Sequence, residues 1–267
     1  HELKTPLASM TYAIHNLLKG IVGDVPECLT PYLEMLREDT DRLGRAIGDI
    51  LDMSRLESNT LVLEPTVIPF APFVKKAVEA LTFQAGRKQQ ALSVDVSAVS
   101  AFVNCDAQKM ERVVFNVVRN AIKFTPAGGA IEVAMRPVSG NGSEGGEVLL
   151  SVTDSGIGIP REHLERVTER YFRVGEHVDG TGLGLAIAKE IVVLHGGMLS
   201  IESPPMGRPQ GTQVNIRLPT MQAPHVIVVD DSPDTLKLVE QQLTSRGYGV
   251  DACDSARHAI EQLAAGK

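Results

Sequence analysis

Two apolar seams separated by a glycine and proline break constrain this chain more than any other feature. Leu3, Leu7, Met10, Ile14, Leu17 and Ile21 recur at alternating spacings of four and three, which places them on one face of a helix. Gly20, Gly23, Asp24 and Pro26 interrupt the seam. A second helix is expected from Thr30, read as its N-cap ahead of Pro31, through Leu33, Leu36, Leu43, Ile47 and Ile50 towards Leu56. Joined by a short loop, the two make an antiparallel hairpin. A lone hairpin buries only one side of each seam, so the expected product is a homodimer forming a four-helix bundle.

Beyond Pro65 and Pro69 the pattern changes. Residues 73–85 and 106–124 read as helices, the latter with Val113, Val114, Val117 and Val118 in its apolar stripe, and 184–194 as a third. Strands are expected at 92–96, 130–135, 148–154, 198–202 and 212–218. Helices segregated from a mixed sheet imply an α/β two-layer sandwich. Residues 139–146 read as a turn between strands. After a linker at 221–224, a buried-type strand at 226–229, a helix capped by Ser232 or Asp234 and a strand at 247–253 form the start of a βαβα unit. The expected domains are therefore 1–62, 63–220 and an incomplete 225–267.

With 26 Lys and Arg against 33 Asp and Glu, the net charge is −7. No basic block is present, which argues against a nucleic-acid binder held by phosphate neutralisation. No run approaches the roughly 20 apolar residues of a membrane-spanning helix, and no signal peptide opens the sequence. No membrane contact is expected of this stretch. Cys28, Cys105 and Cys253 are far apart and in no CxxC spacing, so they read as thiols in a reducing, cytoplasmic setting rather than as disulfides or zinc ligands. The first residue is histidine rather than methionine, so the chain reads as a piece of a longer protein, and the shortened first helix is expected to dimerise weakly and to have low activity.

Four short patterns carry chemistry. HELKTPL (1–7) sets His1 off the seam beside Glu2, where a neutral imidazole can attack phosphorus and a carboxylate can stabilise the imidazolium. Asn116 and Asn120 share a helical face with Lys123; amide oxygens suit Mg²⁺ and a lysine suits phosphate. Asp154 ends an apolar strand and can accept a purine amino group, while Gly156 and Gly158 let the backbone approach a ligand. Thr181, Gly182, Leu183 and Gly184 open a helix, presenting backbone N–H groups to an anion. Taken singly, each has a bland reading: a chance terminus, polar helix residues, a plain turn, a glycine-rich loop. This last loop does not follow a strand, which disfavours the dinucleotide fingerprint.

In this order the four resemble the catalytic core of sensor histidine kinases over residues 1–220. HELKTPL resembles the phosphoacceptor box, 116–125 the asparagine box, DSGIGIP and GTGLGLAIAKEIVVLHGG the two glycine boxes, and DMSRLES (52–58) the end of the second dimerisation helix. The resemblance implies ATP as substrate and Mg²⁺ as cofactor. It implies that His1 takes the γ-phosphoryl group with help from Glu2, and that Thr5 positions water in a reverse, phosphatase reaction. It further implies that Asn120 ligates Mg²⁺ with Asn116 nearby, that Lys123 contacts phosphate and that Asp154 reads adenine. Gly156 and Gly158 shape the pocket, and Gly182 and Gly184 close over the phosphates. The lid at 168–173 departs from the family pattern at Thr168, where an aromatic is usual, and weak anchoring is expected; Arg170 and Arg173 can reach phosphate.

The tail from His225 resembles the opening of a response-regulator receiver domain, with Asp230 and Asp231 in place of its acidic Mg²⁺ pair. This implies a hybrid kinase that passes phosphate to a receiver aspartate in cis or in trans. Two alternatives stay open: another ATPase of the same nucleotide-binding superfamily, which leaves HELKTPL unexplained, and a nucleotide-binding scaffold without catalysis.

Overall fold

The computed structural model describes residues 4–58, 60–96, 99–138, 146–174 and 180–264. The chain divides into two compact units, one of residues 1–62 with 166–187 and one of residues 63–165 with 188–267.

In the first unit, α1 (Lys4–Leu18) and α2 (Thr30–Glu57) pack together as the expected hairpin. Gly20, at φ 69°, ends α1: Ile21 N–H donates to Asn16 O and Gly20 N–H to Leu17 O, each at 3.0 Å, the paired bonds of a Schellman cap. Gly44 faces Leu7, where a Cβ would come within 2.9 Å of Leu7 Cδ2, so the helices approach closely there. The expected cap at Thr30 is corrected. Leu29 holds the N-cap position, without a side-chain hydrogen bond, because its carbonyl already accepts Leu33 N–H at 3.0 Å. Met10, Leu36, Leu43 and Ile50 of the seams stay exposed.

The second unit is built on a five-stranded sheet, formed by β2 (Ala91–Asp95), β4 (Ala130–Val138), β5 (Glu147–Asp154), β6 (Met198–Glu202) and β7 (Thr212–Pro219), in the order β2-β4-β5-β7-β6. The β2–β4 pair is parallel and the others antiparallel. Period-two alternation buries Val148, Leu150 and Val152 of β5 with Val214, Ile216 and Leu218 of β7. The α5 helix (Ala107–Phe124) packs on β5 and turns Val113, Val114, Val117, Val118 and Ala121 inward. Each of these buried valines contributes about 1.5–3 kcal/mol to the unit's stability.

Three elements differ from expectation. The single helix read at 73–85 is two helices, α3 (Phe70–Glu79) and α4 (Thr82–Arg87), because Leu81 N–H turns back to Val78 O at 2.9 Å. Two strands were not anticipated, β1 (Thr66–Pro69) and β3 (Phe102–Cys105), which pair antiparallel. By contrast α6 (Gly184–Leu194) and β6 have the expected bounds.

Past the linker, β8 (His225–Val229), α7 (Pro233–Ser245), β9 (Gly249–Cys253) and α8 (Ala256–Ala264) follow, with β8 and β9 parallel. Ser232, one of the two expected caps, accepts Thr235 N–H at 3.4 Å. Met221 bridges β3 at Phe102 and donates its N–H to Phe102 O at 2.8 Å; Tyr248 packs edge-on against the Phe102 ring at 4.9 Å. No disulfide joins the cysteines: Cys28 is exposed, and Cys105 and Cys253 are buried. Burial, with the neighbouring Asp106 charge, pushes the Cys105 thiol up to about 12. No helix among the described residues is long and apolar enough to cross a membrane.

Candidate functional site

Asn116, Asn120 and Lys123 of the second unit hang on α5, so what fixes that helix matters first. Asp106 caps its start: Oδ1 accepts Gln108 N–H at 3.0 Å and Lys109 N–H at 3.1 Å, and Oδ2 accepts Glu64 N–H at 3.2 Å. Burial alone would raise this carboxyl, but those N–H groups and the Lys109 charge bring it below the usual carboxylate range. At the far end, Lys88 Nζ donates to Ile122 O at 2.9 Å and to Lys123 O at 3.2 Å, while Gln90 Nε2 donates to Thr125 O at 2.6 Å. These bonds satisfy carbonyls that a helix end leaves unpaired. Asn116, Asn120 and Lys123 lie half-buried on α5, and Lys123 Nζ stands 4.8 Å from the Phe124 ring centre.

Beside the end of α5 lies the turn that follows β5. Asp154 is buried, and its Oδ1 accepts Gly156 N–H at 2.8 Å and Thr212 N–H at 3.2 Å. Among the described residues no hydrogen bond falls on Oδ2. Desolvation raises this carboxyl above the ordinary range, against the two N–H bonds and the Arg208 charge. The glycines of the turn are sterically required. A Cβ on Gly156 would lie 2.6 Å from Phe124 O and 2.7 Å from Asp154 Oδ1, and Gly158 sits at φ 73° with Ser203 Oγ 3.1 Å from where its Cβ would be. Ser203 Oγ accepts Ile159 N–H at 2.8 Å and donates to Gly211 O at 2.7 Å. Two buried polar atoms near this corner, Thr125 Oγ1 and Gln90 Oε1, have no hydrogen-bond partner among the described residues. A backbone cradle closed to any Cβ, a buried carboxylate and orphaned polar atoms together fit a small polar ligand.

The first unit carries the loop and lid candidates. Gly182, at φ 70°, passes so close to the lid that a Cβ would lie 2.8 Å from Tyr171 C, and Tyr171 N–H donates to Gly182 O at 3.0 Å. Thr181 Oγ1 accepts Leu183 N–H at 3.3 Å and donates to Asp49 Oδ2 at 2.9 Å. Leu183 is fully buried, ahead of Gly184 at the start of α6. In the lid, Arg170 pairs with Glu57 at 2.7 Å, Arg173 Nη1 donates to Gly180 O at 3.5 Å, and Arg166 stacks 4.4 Å over Phe172. Thr5 is exposed on α1, whereas His1 and Glu2 lie outside the described residues.

In the tail, Asp230 and Asp231 follow β8 directly, and Asp230 Oδ1 accepts Ser232 N–H at 2.9 Å. Among the described residues no group of three or more His, Cys, Asp or Glu is assembled as a metal site. Sequence reasoning missed the supports rather than the motifs: Asp106, Lys88 and Gln90 around α5, and Gly211, where a Cβ would collide with Asp154 O at 2.0 Å. A glycine just ahead of a strand was the available signal for the last.

Residues 1–59 match the His Kinase A (phospho-acceptor) domain family, and residues 105–222 match the histidine kinase-, DNA gyrase B- and HSP90-like ATPase family. The chain belongs to the histidine kinases. This histidine kinase core is 32% identical to the signal transduction histidine-protein kinase/phosphatase MprB of Mycobacterium leprae over 226 residues, covering 82% of the chain and 41% of MprB. It is likewise 32% identical to the sensor protein kinase WalK of Staphylococcus aureus, over 82% of the chain and 51% of WalK. The chain thus spans about half the length, or less, of these curated relatives. In fold the kinase core is similar to part of full-length ShkA, solved in complex with AMPPNP, with a TM-score of 0.64 at 22% identity, covering 98% of the chain and 55% of ShkA. The phospho-acceptor match is what a gyrase- or chaperone-type ATPase would leave unexplained.

Proposed function

We propose that this kinase core binds ATP with Mg²⁺ and autophosphorylates at His1. Asp154 carries the reading. Its carboxylate is buried, held by two backbone N–H groups on Oδ1 and open at Oδ2, which suits acceptance of an exocyclic purine N–H. Gly156 and Gly158 admit the base, Asn120 with Asn116 supplies amide oxygens for the cation, and Lys123 faces phosphate charge. Arg170, Arg173, Thr181 and the backbone from Gly182 to Gly184 add donors for the phosphates. Mg²⁺, when bound, supplies charge neutralisation on those phosphates.

In the transfer, a ring nitrogen of His1 forms a bond to the γ-phosphorus as the bridging P–O bond breaks and ADP leaves; Glu2 stabilises the imidazolium. Catalysis of this kind rests on positioning and electrostatics. Residues 1–62 act as the dimerisation and phosphotransfer hairpin and 63–220 as the nucleotide domain. The exposed seam residues Met10, Leu36, Leu43 and Ile50 support a second copy of the chain as partner. Residues 225–267 act as the start of a receiver domain, with Asp230 and Asp231 towards its cation, and phosphate passes on to a receiver aspartate. Thr5 positions water in the reverse, phosphatase direction, and the setting is cytoplasmic.

The test is peptide mass spectrometry after incubation with Mg·ATP. The expected product is an acid-labile, base-stable phosphate on the peptide containing His1, lost in Asn120→Ala. Nucleotide binding without that phosphate would move the assignment to a scaffold.

A further inference from the structure

Two groups nominated for nucleotide phosphate are engaged by carboxylates of α2. The Thr181 hydroxyl donates to Asp49 Oδ2 at 2.9 Å, and the Arg170 guanidinium meets Glu57 Oε1 at 2.7 Å. All four residues belong to one compact unit. Eight positions apart, Asp49 and Glu57 stand about 12 Å from each other along the helix axis, so they touch the loop and the lid at separate points. A carboxylate and a phosphate offer the same chemistry here: anionic oxygens that only accept. Thr181 has one proton to give, and one of its two oxygen lone pairs is turned to Leu183 N–H at 3.3 Å. A phosphate oxygen reaching that hydroxyl therefore displaces Asp49.

We infer that Asp49 and Glu57 are built-in competitors of the nucleotide phosphates, Asp49 for the one Thr181 proton and Glu57 for the Arg170 charge, a carboxylate latch that holds the loop and lid on α2 until nucleotide displaces it. The inference rests on the assignment of Thr181 and Arg170 to phosphate made above. It makes nucleotide binding and release of the lid from the hairpin one linked equilibrium, in which each opposes the latch by the same factor.

Calorimetric titration of the full chain with Mg·ADP tests this in the native sequence, in Asp49→Asn/Glu57→Gln, and in Glu34→Gln as an exposed control on the same helix. The substitutions keep side-chain shape and remove only charge. Asparagine and glutamine still accept a hydrogen bond, so what is removed is the charge of one exposed ion pair and of one carboxylate acceptor, together a factor of about three to ten; the double variant is expected to bind that much more tightly, with the control unchanged. Raising the salt concentration should shrink the difference, which a merely structural change would not do. Equal or weaker binding by the double variant, with native binding intact, overturns the latch and leaves the nucleotide site standing. Binding by neither overturns the nucleotide site and the latch with it.

Discussion

His195 Nε2 accepts the backbone N–H of Asp106 at 3.0 Å, tying the residue after α6 to the N-cap of α5. The other ring nitrogen, Nδ1, lies 2.7 Å from Ile191 O. A neutral imidazole with its hydrogen on Nδ1 is the tautomer that satisfies both contacts. Through this bond, the helix that follows the glycine loop sets where the asparagine-bearing helix begins. His195→Ala leaves a buried N–H and a buried carbonyl without this partner, and is expected to cost about 1–3 kcal/mol. Urea unfolding followed by far-UV circular dichroism measures it; an unshifted midpoint would show the bond to be dispensable.

Asp154→Asn should separate stability from function. The folded carboxyl is raised, mainly by burial, so its charged form weakens the fold, and this loss sets in above the unfolded value of about 3.9 and is complete once pH has risen through the folded pKa. Asparagine keeps an acceptor for Gly156 and Thr212 without the charge. Melting at pH 7 should therefore occur at higher temperature than in the native chain. Replacing a charged acceptor weakens nucleotide binding by a factor of about 10–100. A variant that melts lower, or that binds as well as the native chain, contradicts this account.

Asp106 has the opposite sign. Its folded carboxyl lies below the usual range, so its contribution is present above the unfolded value of about 3.9 and is lost as pH falls through the folded one. Asp106→Asn should be less stable than the native chain at pH 7, with the gap closing in acid. A gap that is constant with pH would mean that the charge contributes nothing.

Two glycine substitutions should diverge. Gly156→Ala drives a Cβ to 2.6 Å from the backbone oxygen of Phe124, whereas Gly86→Ala meets no atom within 4 Å. The first should lose nucleotide binding and about 1–3 kcal/mol of stability. The second, inside α4, should gain about 0.5–1 kcal/mol. Paired thermal melts and nucleotide titrations decide the comparison, and a tolerated Gly156→Ala would mean that the turn can open freely.

Thiol chemistry provides a further check. Cys28 is exposed while Cys105 is buried, with its thiol at about 12, and only the thiolate reacts. Iodoacetamide at pH 8 should label Cys28 within minutes and Cys105 only in denaturant. Rapid labelling of Cys105 in the folded chain would show that its strand opens.

The sequence made the strongly patterned elements legible and hid two four-residue strands and one helix break. The seams of α1 and α2 and the stripe of α5 are readable because many residues repeat one period. Strands β1 and β3 have four residues each and pair across 33 to 39 positions of chain, too little pattern for any periodicity. The break between α3 and α4 escaped because Ala80 and Leu81 are good helix formers, and the turn there comes from tertiary packing. The motif residues Asp154, Gly156, Asn116 and Asn120 were readable by type and spacing. Their supports were not, because Asp106, His195, Gln90 and Gly211 act through contacts far away in sequence. The roles of Asp49 and Glu57 were hidden for the same reason, since acidic residues on a helix surface carry no mark of what they touch.

Met221 binds the edge of β3, and Pro224 O already accepts Gly249 N–H at 3.3 Å. Between those two fixed points only Gln222 and Ala223 remain as free leash, about 10 Å when fully stretched. The tail cannot wander to sample distant surfaces. For it to travel farther than that, Met221 must peel away from Phe102 and Tyr248 must leave the Phe102 ring, so the reach of the tail is set at one residue of an edge strand.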